Sequence, residues 1–247
     1  RVRCAQKTIL LPCAPFPASR AAVFSRHLYR RSVGAATRQP FEFVPAGIVR
    51  LMHNLPAIQQ QLSKGGNMER PNFFILTGGP GAGKTTLLEG LKRSGYFCVD
   101  EVARKIIQEQ HLIGGDALHD GDQRKFADLM LTRSIAAYEQ VDERAAPVFF
   151  DRGLPELVGY GPFVGHETPA YFHKAAALFR FNKKVFILPP WPEIYGQDDE
   201  RKQDFAEAVE SWRLSAETYP KLGYELVEVP KAGIADRVDF VLAHTKI

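Results

Sequence analysis

Cysteine is scarce in this 247-residue chain. Cys4, Cys13 and Cys98 are the only three, and none has a companion at metal-ligand spacing, which excludes a zinc ribbon or a disulfide-framed scaffold. Long apolar runs are also missing. Nothing approaches the roughly 18 residues that a spanning helix requires, so a soluble, cytoplasmic protein is expected. Acidic residues are nearly absent from the first 67 positions, where Glu42 stands alone against ten Lys and Arg. The remaining 180 positions hold 22 basic and 27 acidic residues, a net −5, so the overall +4 belongs to the leader and gives no argument for nucleic acid as a partner.

The charge imbalance also sets a boundary at Met68. Residues 1–67 carry six prolines and no sustained helical or strand period. Three readings are open: sequence upstream of a true start at Met68, an Arg-rich organellar targeting segment, or a basic arm. The first leads, because Lys64-Gly65-Gly66-Asn67 back-translates to a purine-rich stretch resembling a bacterial ribosome-binding site. Residues 68–247 are expected to form the folded domain.

Within that domain, Gly78-Gly79-Pro80-Gly81-Ala82-Gly83-Lys84-Thr85 follows the apolar run Phe73-Phe74-Ile75-Leu76 and leads into a helix-compatible stretch. This is G-x-x-x-x-G-K-[ST] in its strand–loop–helix setting. Glycines let the backbone wrap a phosphate chain with successive N–H groups aimed at its oxygens, and the helix adds its positive end. The expected nucleotide contacts are residues 78–86, Gly78 through Thr86, with Lys84 on the β/γ-phosphates and Thr85 on Mg²⁺.

Short apolar runs then alternate with amphipathic stretches, the pattern of an α/β fold with a parallel sheet. Strands are expected at Phe73–Thr77, Tyr96–Val99, Val148–Phe150, Lys184–Leu188 and Tyr224–Val229. Helices are expected from the phosphate loop to Arg93, over Val102–Gln110 and over Asp122–Glu143, the last with Phe126, Met130, Ala137 and Val141 near one face. A later helix carries a core-facing stripe of Phe205, Val209, Trp212, Ala216 and Tyr219. Ile234, Val238 and Val241 mark a closing helix. The expected fold is a P-loop NTPase: a doubly wound, mostly parallel, five-stranded sheet of nucleoside- or nucleotide-kinase type.

Catalytic groups collect at the carboxyl ends of such strands. Asp151, ending the third strand, is expected to hold Mg²⁺. A hydrolysing mechanoenzyme of AAA+ type would place a second carboxylate after it, where this chain has Arg152. A Ras-type GTPase would need N/T-K-x-D, and Asn182-Lys183-Lys184-Val185 has valine in place of the aspartate. Transfer of the γ-phosphoryl of ATP to a small acceptor fits better. Asp100 or Glu101 is then the candidate base, Arg152 and Arg201 the candidate clamps on transition-state charge, and Arg104 and Tyr160 the candidate acceptor-pocket residues. A nucleotide-switched binding module stays open as the alternative. The histidines show no metal spacing, and oligomeric state is open.

Four strings carry a resemblance. Residues 75–86, Asp100-Glu101-Val102-Ala103-Arg104, Asp151-Arg152-Gly153-Leu154-Pro155 and Pro189-Pro190-Trp191-Pro192-Glu193-Ile194-Tyr195 together resemble a bacterial family of predicted AAA-type ATPases. Its wider clan includes the ribosylnicotinamide-kinase domain of NadR and the P-loop domain of the TRPL translocation defect protein. The resemblance covers 70–245 and implies nucleotide phosphates on residues 78–86 and Asp151 as the Walker B acid. It also implies motif positions at Glu101, Arg104, Arg152, Tyr160, Asp198 and Arg201.

Overall fold

A computed structural model describes residues 67–141, 146–195 and 204–245. Five parallel strands form the central sheet: β2 (Phe73–Gly78), β3 (Phe97–Val99), β4 (Val148–Asp151), β6 (Lys184–Leu188) and β7 (Glu225–Glu228), in the order β3-β4-β2-β6-β7. The three middle strands read as continuous apolar runs because both of their faces are covered. Alternation along β2 sorts its side chains. Phe73 and Ile75 enter one core with Phe150 and Val185, while Phe74 and Leu76 enter a second with Phe149 and Phe186.

Helices close both faces. On the second core lie α1 (Lys84–Arg93), through Leu87, Leu88 and Leu91, and α7 (Ile234–His244), through Val238 and Val241. The first core takes residues from α2 (Val102–Ile113), α3 (Gln123–Gln140), α4 (Glu156–Phe163), α5 (Ala170–Leu178) and α6 (Phe205–Lys221). Each connection returns the chain to start a parallel strand, so the loops after β2, β3 and β4 gather at one edge.

Several boundaries differ from the sequence expectation. A small parallel pair, β1 (Met68–Glu69) with β5 (Phe179–Arg180), was not foreseen. The Tyr138 hydroxyl ties it down, its one proton shared between the carbonyls of Met68 at 2.9 Å and Arg180 at 2.8 Å. That contact also makes Tyr138, rather than Ala137, the buried residue of its turn. Helix α2 runs past Gln110 to Ile113 and stops at Gly114, whose left-handed φ of 66° caps it. Helix α3 starts where Asp122 accepts from the Lys125 amide, and it ends before the extended backbone of Val141.

On α6 the expected stripe is rotated. Val209 is 38% exposed, and the buried positions are Ala208, Ser215 and Tyr219. The helix presses its first turns on the phosphate loop and its later ones on a carboxylate, so small and polar residues occupy the inner face. A capping box of Asp204 and Glu207 starts it. No helix among the described residues is long and apolar enough to cross a membrane.

Candidate functional site

The loop between β2 and α1 is shaped by positive-φ backbone. Gly81 has φ 71°, and a Cβ there would lie 2.5 Å from the ring of Tyr195. Gly83, the residue before α1, has φ 82°. Side chains at either point would strain the turn, so glycine is what lets the loop close. Gly78, Gly79, Pro80 and Ala82 are buried, whereas Thr85 and Thr86 are exposed on the first turn of α1. Buried Lys84 folds back over the loop and donates to the carbonyls of Gly78 and Gly79, both at 2.9 Å.

Strand β4 lies beside β2 with Asp151 opposite Leu76, which sets this buried carboxylate at the level of the loop's root. The Arg152 amide extends the ladder by one bond, to the Leu76 carbonyl at 2.9 Å. Arg152 then takes a left-handed φ of 66°, alone in doing so among described non-glycine residues. That conformation costs about 1–2 kcal/mol. Its guanidinium is gripped by two carboxylates, Glu101 at 3.1 Å and Glu156 one helical turn on.

Asp100 and Glu101 were interchangeable in the sequence, and the structure separates them. The Asp100 side chain is 78% exposed and pairs with Lys92 at 2.7 Å, which holds the Lys92 ammonium above its ordinary range. Glu101 turns inward, its side chain only 9% exposed, without capping α2.

Glu156 escaped the sequence reading and is the hub of the cleft. It accepts from Arg152, from the fully buried Thr77 hydroxyl at 3.0 Å and from Tyr219 at 3.3 Å, with the Ser215 hydroxyl, bonded to the Ser211 carbonyl, 3.5 Å away. Its signal was available as the i,i+4 spacing from Arg152. Arg237 was also missed. It lies buried on α7 and donates to the Gly83 carbonyl at 3.1 Å, with its guanidinium 5.8 Å from the Trp191 ring centre. Burial draws its pKa below the usual arginine range. The visible sign was an arginine on the apolar stripe Ile234-Val238-Val241.

A cavity of about 540 Å³ opens between these elements. Pro80, Glu101, Asp151, Arg152, Glu156 and Tyr160 are among the residues that line it. Arg104 is half-buried on α2 but is not among the lining residues. Asp198 and Arg201 lie outside the described residues. Among the described residues no cluster of three or more His, Cys, Asp or Glu forms a metal cage. The donors at hand, the Thr85 hydroxyl and the Asp151 carboxylate, suit an ion that keeps water and phosphate oxygens as its other ligands.

A parallel sheet, a glycine loop closed by a lysine at a helix start, and a buried acid on the neighbouring strand define a P-loop NTPase fold of kinase-like type. The model of an AAA domain family matches residues 73–237, well over half of the chain, and the chain belongs to that family. A nucleotide-binding protein of Desulforapulum autotrophicum is 30% identical over 91 residues. That stretch is 37% of this chain and spans 30% of that protein's length. The crystal structure of NadR protein in complex with NR superposes with a TM-score of 0.55 at 18% identity, covering 91% of this chain and 67% of that one. At that identity the likeness is one of fold. Shikimate kinase from Acinetobacter baumannii in complex with shikimate gives a TM-score of 0.44 at 18% identity, over 70% of this chain and 92% of that one.

Proposed function

We propose that this protein binds Mg²⁺-ATP at residues 78–86 and transfers the γ-phosphoryl group to a hydroxyl-bearing small molecule in the adjoining cavity. One observation carries the reading: the Glu101–Arg152–Glu156 cluster and Pro80 of the phosphate loop line one cavity, large enough for a small molecule. A module that only switched on nucleotide would have no use for an acceptor-sized cavity at the loop's mouth.

Loop amides and Lys84 hold the phosphates, for which Lys84 leaves the carbonyls of Gly78 and Gly79. Thr85 and Asp151 would hold the magnesium ion, which would offset negative charge on the phosphates. Glu101 accepts the acceptor's hydroxyl proton as that oxygen bonds to the γ-phosphorus. The bond to the β–γ bridging oxygen breaks, and its electron pair leaves with ADP. Arg152, pre-aimed by its two carboxylates, steadies the charge on the equatorial oxygens.

Two variants separate binding from chemistry. Lys84→Ala should abolish transfer and lower ATP affinity while the domain stays folded. Glu101→Gln should bind ATP as tightly as the parent and lose about 10²–10⁴-fold in transfer rate. Full transfer activity in Lys84→Ala would refute the assignment.

A further inference from the structure

The cavity's chemistry narrows the class of acceptor, on the reading that phosphoryl transfer occurs there. Three buried or nearly buried carboxylates, Glu101, Asp151 and Glu156, line the cavity. Arg152 is the one Lys or Arg among the described lining residues, and two of those carboxylates already neutralise it. Setting Asp151 aside for the metal still leaves two acids against one guanidinium. Asp100, Glu207 and Glu210 add further negative charge at the rim. Their effect is weaker, because they are exposed and Asp100 and Glu210 pair with Lys92 and Arg213. An acceptor carrying its own phosphate or carboxylate would bring like charge into this ring, and among the described lining residues no Lys or Arg besides Arg152 would receive it.

Other walls are apolar. Phe126, Met130, Phe150, Leu154 and Phe181 also line the cavity, and all five are buried. The Tyr160 ring meets Phe126 edge-on at 6.1 Å. Its hydroxyl is buried without a hydrogen-bond partner, and burial pushes it up to about 12. A buried hydroxyl with nothing to bond is a polar handle awaiting a ligand atom. At about 540 Å³ the space suits a molecule of ring size or larger rather than a two- or three-carbon alcohol.

We infer that the acceptor is an alcohol without anionic groups, neutral or cationic, whose apolar body fills the chamber lined by Phe126, Phe150 and Phe181 and offers one hydrogen-bonding atom to Tyr160. Glu101 and Glu156 then select on charge, and Tyr160 selects on the hydrogen-bonding atom.

The test uses the full chain with Mg²⁺ and a non-hydrolysable ATP analogue, titrated with matched pairs of probes. Each pair is an alcohol and its phosphate monoester: a nucleoside and its 5′-monophosphate, an aromatic ring alcohol and its phosphate, a linear alkyl alcohol and its phosphate. At least one uncharged member should bind tenfold or more tighter than its phosphate. For that probe Tyr160→Phe should weaken binding about fivefold while ATP affinity holds. A ring alcohol binding where the alkyl chain does not would assign an aromatic body, and the reverse an aliphatic one. Tighter binding of the phosphates, or no binding by any alcohol, overturns the inference. Selective binding of an alcohol with no transfer from γ-labelled ATP leaves the inference standing and removes the kinase reading.

Discussion

Removing Glu156 should cost more stability than removing any surface acid of this domain, and the structure allows the loss to be sized. Glu156→Ala deletes a charge-assisted bond to Arg152, worth about 1.5–3 kcal/mol. It also leaves the hydroxyls of Thr77 and Tyr219, both fully buried, without this acceptor, at about 1–3 kcal/mol each. These losses share one site and do not add, and the side chain is 14% exposed, so water relieves part of them. About 3–4 kcal/mol is the expected total, which in urea at a slope near 2 kcal/mol per molar lowers the midpoint by about 1.5–2 M. Glu156→Gln keeps an acceptor for the two hydroxyls and loses the ion pair, so it should fall between, near 2 kcal/mol. A cycle with Thr77→Val completes the test. Losing that hydroxyl should cost about 1 kcal/mol in the parent and almost nothing beside Glu156→Ala. The assay is urea unfolding of the full chain followed by circular dichroism. A Glu156→Ala midpoint within about 0.3 M of the parent would refute the hub.

Arg237→Met should weaken Mg²⁺-ATP binding about tenfold by calorimetry, because the guanidinium both braces the Gly83 carbonyl and places positive charge behind the loop; an unchanged affinity would remove Arg237 from the site. Burial raises the Cys98 thiol from its ordinary 9.0 to about 12. At pH 8 the folded domain should therefore leave Cys98 unalkylated by iodoacetamide in peptide-resolved mass spectrometry, while unfolded chain reacts, and equal labelling of both would contradict this. The same shift has a sign for stability. The thiol's contribution is intact below pH 9 and is lost as pH rises toward 12, so Cys98→Ala should flatten the unfolding profile across that window. Asp100→Asn should change transfer by less than twofold, since Asp100 is occupied by Lys92 on the surface; a hundredfold loss would return the base assignment to Asp100.

Why some of this was legible in the sequence and some was not follows from the kinds of residue involved. The middle strands announced themselves because burial on both faces demands unbroken apolar runs, as in Phe73-Phe74-Ile75-Leu76. The phosphate loop was visible because its glycine spacing is itself the mechanism. Helix α6 was misjudged because counting hydrophobic residues gives no weight to Ser215, which is buried against Glu156, or to Ala208, which packs on the loop. Asp100 and Glu101 could not be told apart because one step of backbone at the end of β3 decides which is buried beside Arg152 and which is exposed beside Lys92. The left-handed turn at Arg152 had no sequence signal at all. It is held by partners 51 residues before it and four after, and only the folded chain joins them.

The central claim is that the γ-phosphoryl group leaves ATP for a molecule held in the cavity. It is tested most directly by following γ-labelled ATP through the full chain with Mg²⁺ and a pool of nucleosides, sugars and ring alcohols. The account predicts label on one of those alcohols, lost in Lys84→Ala and strongly slowed in Glu101→Gln. Label found only in free phosphate, at a slow rate indifferent to the pool and to Glu101→Gln, would contradict it and leave a nucleotide-switched module in its place.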